Sequence, residues 1–394
     1  METMFHPGLA SIVGIGELKT SLDIGGKSSL DLMAEAAALA IQDAGLLKND
    51  VDGLLVTPPS EDSYFLWPSQ VAEYLQLSPV FMNMVELGGA SAAATIARAA
   101  LLVDAGICKN CLCLSGGIWD KQVFNTLEGK MAVMSQAEID YDLPYGPMGF
   151  NSSYALIARR HMYEYGTTPE QLAKITVDQR INAMANPDAL FKKSITVPDV
   201  LASPLIVDPL HLLEIVRPCN GAAAVLVSRF SPSEYNNHPP VTIRGFGEAY
   251  THNSIAYAPS LTESPIKMAS SRAFQMAGVE VKDIDLVSLY DCYTITVLIS
   301  LEDIGFCPKG EGGKFVENTD LTYTGALPCN THGGQLSCGQ ASFAGGMSHV
   351  TEAVRQLRGE AGPRQVKKNC LAIVNGNGGV MSTQCCLILG RGKA

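Results

Sequence analysis

Apolar residues fall along this chain in short blocks, separated by longer stretches in which small and polar residues alternate with a helical period. Ala10-Ser-Ile-Val-Gly-Ile-Gly16 is an apolar run of strand length, Leu30 to Ala44 is an alanine-rich helix closed by Gly45, and Gly53-Leu-Leu-Val56 is a second strand. The same order returns later. Four residues separate Ala44-Gly45 from Asp50-Val-Asp52, and four separate Ala277-Gly278 from Asp283-Ile-Asp285, which leads into the strand Leu286-Val-Ser-Leu-Tyr290. Gly89-Ala90-Ser91 opens a small-residue helix ending near Gly106, and Gln340-Ala341-Ser342 opens one ending near Gly359. Cys111 to Gly116 and Cys370 to Gly376 are apolar strands running into glycine-rich turns. Three landmarks in the same order, offset by 233, 251 and 259 residues, mark two copies of one α/β unit. Alternating strands and helices predict mostly parallel central strands, continuously apolar, with helices on both faces.

A chain of 394 residues exceeds what a single core usually supports, which suits a doubled architecture. Residues 1–232 form the first half and 241–394 the second. Ser231-Pro-Ser-Glu-Tyr-Asn-Asn-His-Pro-Pro240 is the linker, because its prolines and polar residues join neither a helix nor a central strand. Within the first half, Trp119 to Leu213 is an insertion rich in Tyr, Met, Asn and Pro, with a helix from Tyr154 to Gly166. An insertion of this kind commonly carries a substrate pocket.

With 28 Lys and Arg against 39 Asp and Glu, the net charge of −11 disfavours nucleic acid or an anionic membrane as partner. The most apolar helix, Ala90 to Gly106, is interrupted by Arg98 and Asp104, so no membrane span is expected. The first residues lack the basic cap and apolar run of a signal peptide. A cytoplasmic location follows as the expectation, with the eleven cysteines mostly reduced.

Cys108-Lys-Asn-Cys111-Leu-Cys113 has no second Cys or His pair at zinc-ribbon distance, so these cysteines are expected to pack as small hydrophobes, as are Cys385 and Cys386; no metal site is predicted. Gly310 to Gly313 and Gly376 to Gly379 lack the Walker lysine and the dinucleotide fingerprint. The glycines of the second are read as permitting close backbone approach to a ligand or another turn. Asn330-Thr-His-Gly-Gly-Gln-Leu-Ser-Cys-Gly-Gln340 gathers amides, a His and a thiol directly before an expected helix N-terminus, where an oxyanion is stabilised. Tyr290-Asp-Cys-Tyr293 places a phenol, a carboxylate and a thiol at the end of a repeat strand, with strand alternation turning Tyr290 and Cys292 to one face.

Together with Gly88-Gly89-Ala90-Ser91, Cys219-Asn-Gly-Ala-Ala-Ala224 and Asn375-Gly-Asn-Gly-Gly379, these segments give nearly the whole chain a resemblance to the thiolase superfamily, in the branch of the sterol-carrier-protein thiolases. The resemblance implies a duplicated αβαβα layered fold with two pseudo-twofold-related halves. It also exposes departures. The family's nucleophilic Cys position is Gly89, the His of its Gly-His-Pro stretch aligns with Gln340, and its C-terminal acid/base Cys falls near Val374.

A glycine forms no acyl-enzyme, which leaves two chemistries. One is thiolase-type retro-Claisen cleavage of a bulky or aromatic 3-oxoacyl-CoA, as in benzoylsuccinyl-CoA thiolases. In that reading Cys338 is the acyl acceptor, with its pKa lowered by the adjoining helix start. Tyr290 or Cys292 carries the proton, and Asn330, His332 and Gln340 position or polarise the thioester. The other is retro-aldol cleavage of a 3-hydroxyacyl-CoA, as in steroid side-chain aldolases. Tyr290 fits that branch, while Cys338 stands where it would carry a further Tyr. Backbone groups at Gly89 and Gly378, with Asn375, complete the expected oxyanion and substrate site. A non-catalytic acyl-CoA-binding scaffold is the alternative of another class. By the same resemblance, coenzyme A is a substrate or product and no cofactor stays bound. The expected assembly is a homodimer joined by a small acyl-CoA-associated protein with a zinc ribbon and an OB-fold barrel.

Overall fold

A computed structural model describes residues 9–59, 65–119, 134–146, 149–229 and 238–392. The first half runs β1 (Ala10–Glu17), α1 (Ser29–Asp43), β2 (Gly53–Val56), α2 (Trp67–Leu75), β3 (Phe81–Met84), α3 (Ser91–Asp104) and β4 (Asn110–Gly117). The insertion follows with α4 (Phe150–Tyr165), α5 (Pro169–Met184), α6 (Val197–Leu201) and the hairpin β5 (Leu205–Val207) and β6 (Leu210–His211), before β7 (Gly221–Arg229) closes this half. The second half runs β8 (Val241–Tyr250), α7 (Ile266–Ala277), β9 (Leu286–Leu289), α8 (Thr294–Ile304), α9 (Gly312–Asn318), α10 (Gly334–Cys338), α11 (Ala344–Arg358), β10 (Leu371–Gly378) and β11 (Thr383–Arg391).

Strands β3-β2-β4-β7-β1 continue through β8-β11-β10-β9, joined where β1 pairs with β8 over Ser11–Thr242 and Ile12–Val241. Read outward from that seam, β1, β7, β4, β2 match β8, β11, β10, β9, so the halves mirror each other about the seam. A detail of packing repeats too. Gly14 and Gly16 let β1 sit against the α1 carbonyls of Ala40 and Ala36, and Gly245 and Gly247 do the same for β8 against Ala273 and Ala269 of α7; a Cβ at any of the four would overlap helix backbone.

The strands are not mostly parallel, contrary to the expectation from their alternation with helices. Parallel pairing is confined to β3-β2-β4 and β9-β10, while β4-β7, β7-β1, β1-β8, β8-β11 and β11-β10 are antiparallel. The closing strand of each half causes this: β11 returns from β10 through a short turn, which only antiparallel strands allow, and β7 holds the same place in the first half.

Side chains alternate across the apolar strands. Cys111 and Cys113 of β4, Val225 and Val227 of β7, and Leu387 and Leu389 of β11 face one inner core with α3 and α11. Leu112, Leu114, Ala224 and Leu226 face an outer core with α1, and Cys386 and Ile388 face another with α7 and α8. Ten of the fourteen residues of α3 and fourteen of the fifteen of α11 are buried, as a helix layer between the two halves of the sheet requires. The result is the expected αβαβα layering. Of the eleven free cysteines, ten are buried and Cys370 is exposed.

Residues 231–237 of the expected linker and 120–133 and 147–148 of the insertion lie outside the described residues. The described insertion packs on the second half, with α5 against α8, α9 and α10. Among the described residues, no helix is long and apolar enough to cross a membrane.

Candidate active site

The site forms where three turns meet. The first runs from Leu87 into α3. Its Ser91 hydroxyl accepts from Leu87 N at 2.7 Å and donates to Gly88 O at 2.6 Å, which fixes the turn around Gly89. The second is Gly376 to Gly379 at the end of β10. Its glycines serve close approach to another turn: a Cβ on Gly376 would fall 2.9 Å from Ala90 Cα, and one on Gly378 would overlap Leu87 O. The third is Tyr290 to Tyr293, between β9 and α8. Asn330 clamps its entry, since Leu289 N donates to Asn330 Oδ1 at 2.7 Å and Asn330 Nδ2 donates to Leu289 O at 2.9 Å.

Tyr290 is only 3% exposed, and its phenol occupies the space that a side chain at position 89 would need. An ideal Cβ on Gly89 would lie 2.5 Å from the Tyr290 hydroxyl and closer still to Tyr290 Cζ and Asn377 O. Gln340 Nε2 donates to the same hydroxyl at 2.7 Å. Burial, with the neighbouring Cys292 and Asp291, pushes the phenol's pKa up against the hydrogen bonds it receives, so it rests protonated with its own proton free to point elsewhere.

Cys292 sits on the far side of this turn. Asn377 Nδ2 reaches Cys292 Sγ at 3.9 Å and donates to Tyr154 OH at 2.9 Å, and Tyr154 OH donates to Gly379 O at 2.9 Å. Behind them, Gln384 Nε2 donates to Asn377 Oδ1 at 2.8 Å and Asn375 Nδ2 to Gln384 Oε1 at 2.9 Å. Asn375 therefore reaches Cys292 only through two other amides. Burial pushes the Cys292 thiol up to about 12.

Cys338 is placed differently from the expectation. The stretch from Gly334 forms the short helix α10 with Cys338 at its C-terminal end, and α11 begins at Ala344 rather than Gln340, because Gly339 (φ 85) and Ser342 (φ 50) turn the chain. A helix C-terminus disfavours a thiolate, the reverse of the activation expected from a helix start. The thiol donates to His332 O at 3.2 Å, packs on Ala183 and Ala189, and is held well above the ordinary thiol range by burial. His332 is buried, with Nε2 3.4 Å from Ser348 Oγ; burial and then His349 hold it down to about 3, so it stays neutral. Thus Gly89, Tyr290, Gln340 and Gly378 converge, Cys292 lies just behind, and Asn330, His332, Asn375 and Cys338 form the supporting layer.

Sequence reasoning gave no role to Tyr154, Asn377, Gln335 and His349, and named the Asp291 carboxylate only as part of its motif. Asn377 was legible, lying inside the Gly376 to Gly379 turn. Asp291 caps α10, accepting from Gln335 N at 2.9 Å and Leu336 N at 3.1 Å, and Gly334 leaves room for its carboxylate.

The Thiolase C-terminal domain-like family matches residues 247–391. An acetyl-CoA acetyltransferase of Methanothermobacter thermautotrophicus is 31% identical over 385 residues, 97% of this chain and 99% of its own length. A steroid side-chain-cleaving aldolase of Thermomonospora curvata is 35% identical over 370 residues, 90% of this chain and 91% of its own. The chain belongs to the thiolase superfamily. Its place is in the sterol carrier protein thiolase-like branch, as the resemblance implied. Among solved structures, the Ltp2-ChsH2(DUF35) aldolase superposes with a TM-score of 0.84 at 34% identity, covering 98% of both chains. This thiolase-superfamily chain thus has acyltransferase and aldolase relatives of nearly full length.

Proposed function

We propose that this chain is a carbon–carbon lyase that cleaves a 3-hydroxyacyl-CoA by retro-aldol reaction, with Tyr290 as proton carrier. The observation that carries this reading is the Tyr290 phenol standing in the space of the superfamily's nucleophile, with Gly89 beneath it and Gln340 holding its oxygen. A Claisen cycle needs a thiolate acyl acceptor, and Cys292 and Cys338 are both buried with raised pKa values. A retro-aldol cycle needs none. The two proton transfers and the bond cleavage are concerted: as the Cα–Cβ pair leaves Cβ with enolate character on the thioester, the resting Tyr290 phenol passes its proton to Cα while its oxygen takes up the 3-hydroxyl proton, so that a carbonyl forms at Cβ and the phenol returns to its starting state. Backbone N–H groups at the Gly89 and Gly378 turns would hold the enolate oxygen.

The aldolase relatives support the same reading, and one of them is named for steroid side-chain cleavage, which fits a bulky acyl group. Coenzyme A is then part of substrate and product. A DUF35 partner named in the aldolase structure supports the small zinc-ribbon and OB-fold subunit as companion. A homodimer is supported by the edge strand β3: Val80 and Met82 are 72% and 43% exposed beside a groove of about 650 Å³ lined by Phe81, Leu87, Leu101, Leu102 and Ile107. Sedimentation of the purified complex at a mass holding two copies of this chain is the expected result; a single copy would remove the homodimer.

The test purifies the chain with such a partner and supplies 3-hydroxyacyl-CoAs and 3-oxoacyl-CoAs in parallel. Expected are a ketone or aldehyde and a shortened acyl-CoA, formed without added coenzyme A. Cys338→Ser should keep turnover within about twofold, since the thiol lies outside the reacting groups. A Cys338-dependent acyl adduct on the intact protein, or cleavage only of 3-oxoacyl-CoAs with added coenzyme A, would overturn the lyase in favour of a relocated thiolase. Absence of turnover with either class would favour the scaffold.

A further inference from the structure

Helix α4 of the insertion reaches the site from behind with one aromatic side chain. Tyr154 is buried, and its ring stacks on Tyr293, with centroids 4.2 Å apart and planes at 24°. Tyr293 returns the contact. Its hydroxyl donates to Asn151 Oδ1 at 2.5 Å, and Asn151 lies three residues before Tyr154 on the same face of α4. The Tyr290 to Tyr293 turn and α4 are thus fastened to each other at two points.

The Tyr154 hydroxyl extends this connection to the turn that ends β10. It donates to Gly379 O at 2.9 Å and accepts from Asn377 Nδ2 at 2.9 Å. A backbone carbonyl only accepts, so the single phenol proton goes to Gly379 and Asn377 must present its NH2 group. That orientation also lets Asn377 Oδ1 accept from Gln384 Nε2 at 2.8 Å. Burial holds the phenol well above its ordinary range, which keeps the proton in place. On its other side the same turn is pressed against the loop into α3: a Cβ on Gly378 would overlap Leu87 O, one on Gly88 would lie 3.0 Å from Gly379 N, and one on Gly89 would overlap Asn377 O. At such contact a shift of the β10 turn is passed to the backbone at Gly89.

We propose that Tyr154 is a positioning residue for the enolate: by fixing Gly379 O and the Asn377 side chain it holds the β10 turn against the Leu87 to Gly89 turn, so that the backbone N–H groups of both turns stand ready where the thioester oxygen becomes negative. The inference rests on those turns holding the enolate oxygen, as the proposed cleavage requires. Tyr154 acts through them, since its proton and its acceptor position are both engaged by protein groups. Donors of this kind work by being in place before charge develops, and a small misplacement weakens their hold on the charged state more than on the neutral thioester. Phenylalanine at position 154 keeps the stack on Tyr293 and releases the turn, because Gly379 O and Asn377 Nδ2 both lose the hydroxyl.

The test measures binding of two unreactive coenzyme A analogues to the purified complex, each with a CH2 in place of the thioester sulfur. One ends in a carboxylate, which carries an enolate's charge on oxygen, and the other in the carboxamide, which has the shape without the charge. The parent is expected to bind the carboxylate at least about tenfold tighter than the carboxamide. Tyr154→Phe should reduce that ratio by about fivefold or more, with the carboxamide Kd within about twofold of the parent's. Placing 4-aminophenylalanine at position 154 gives Gly379 O an N–H donor again and should return the ratio to within about twofold of the parent. A ratio unchanged in a folded Tyr154→Phe protein overturns the proposal, as does equal weakening of both ligands, which loosened packing alone would give. Should Tyr154→Phe not fold, Asn377→Leu, similar in shape and without the amide that holds the phenol, gives the same decision. A parent with no preference for the carboxylate removes the enolate site and this role with it, so failure of the cleavage reading shows in the parent and failure of the positioning role only in the variants.

Discussion

Tyr290→Phe is expected to lower turnover by at least about 10²-fold while the fold and the KM for acyl-CoA stay close to those of the parent. The phenol ring fills the space above Gly89, and phenylalanine keeps that ring. What disappears is one oxygen, the only atom of this side chain that moves a proton in the proposed cycle. General acid–base groups contribute about 10²–10⁴ in rate, which sets the size of the loss. The stability change should be about 1 kcal/mol, since the hydroxyl accepts from Gln340, whose side chain is only partly buried and regains a partner from water. Product formation on a 3-hydroxyacyl-CoA, read beside thermal unfolding, checks both parts. A variant retaining turnover within about threefold would remove Tyr290 from the chemistry and leave Cys292 as the nearest group to reconsider.

Doubling of the fold was legible because each copy closes its first helix with Gly45 or Gly278 and opens its next strand after an Asp-x-Asp step at the same interval. The glycine pairs Gly14, Gly16 and Gly245, Gly247 carry the same message, and their meaning emerges only when strand and helix backbones are seen touching. Strand direction was not legible. Parallel or antiparallel pairing depends on which strand neighbours which, and β7 and β11 read locally like any other buried strand. Within the site, Tyr290 and Gln340 were singled out from separate motifs, and folding brings the two into hydrogen-bond contact. The expectation for Cys338 failed on local geometry. Two left-handed residues, Gly339 and Ser342, insert a break that moves the helix start from Gln340 to Ala344, and Ser342 gives no compositional sign of it. His349 was passed over because its partners Ser288 and Asp291 come from a different strand and turn, which only folding brings beside it.

Gly89→Ala should lose turnover by about 10²-fold or more and destabilise the protein by about 1–3 kcal/mol, an unusual outcome for adding one methyl at a partly exposed helix start. The added carbon has nowhere to go: the Tyr290 ring lies on one side and the Asn377 carbonyl on the other. Relief therefore displaces the phenol from Gln340 or pushes the β10 turn away from α3, and either motion disturbs the groups that converge on the thioester. Gly89→Cys meets the same obstacle, so restoring the superfamily's nucleophile should give neither an acyl adduct with acetyl-CoA nor thiolysis. A double-mutant cycle identifies the obstacle. In a Tyr290→Ala background the ring is gone, and Gly89→Ala should cost less there than in the parent, with a coupling of about 0.5–3 kcal/mol measured by denaturant unfolding. The part that remains reports Asn377. If the two substitutions instead add within about 0.5 kcal/mol, or Gly89→Ala keeps full activity, then Gly89 and Tyr290 are independent departures from the superfamily pattern. Coupling would make them one exchange, in which the small residue at the helix start is the condition for a phenol to stand beside it.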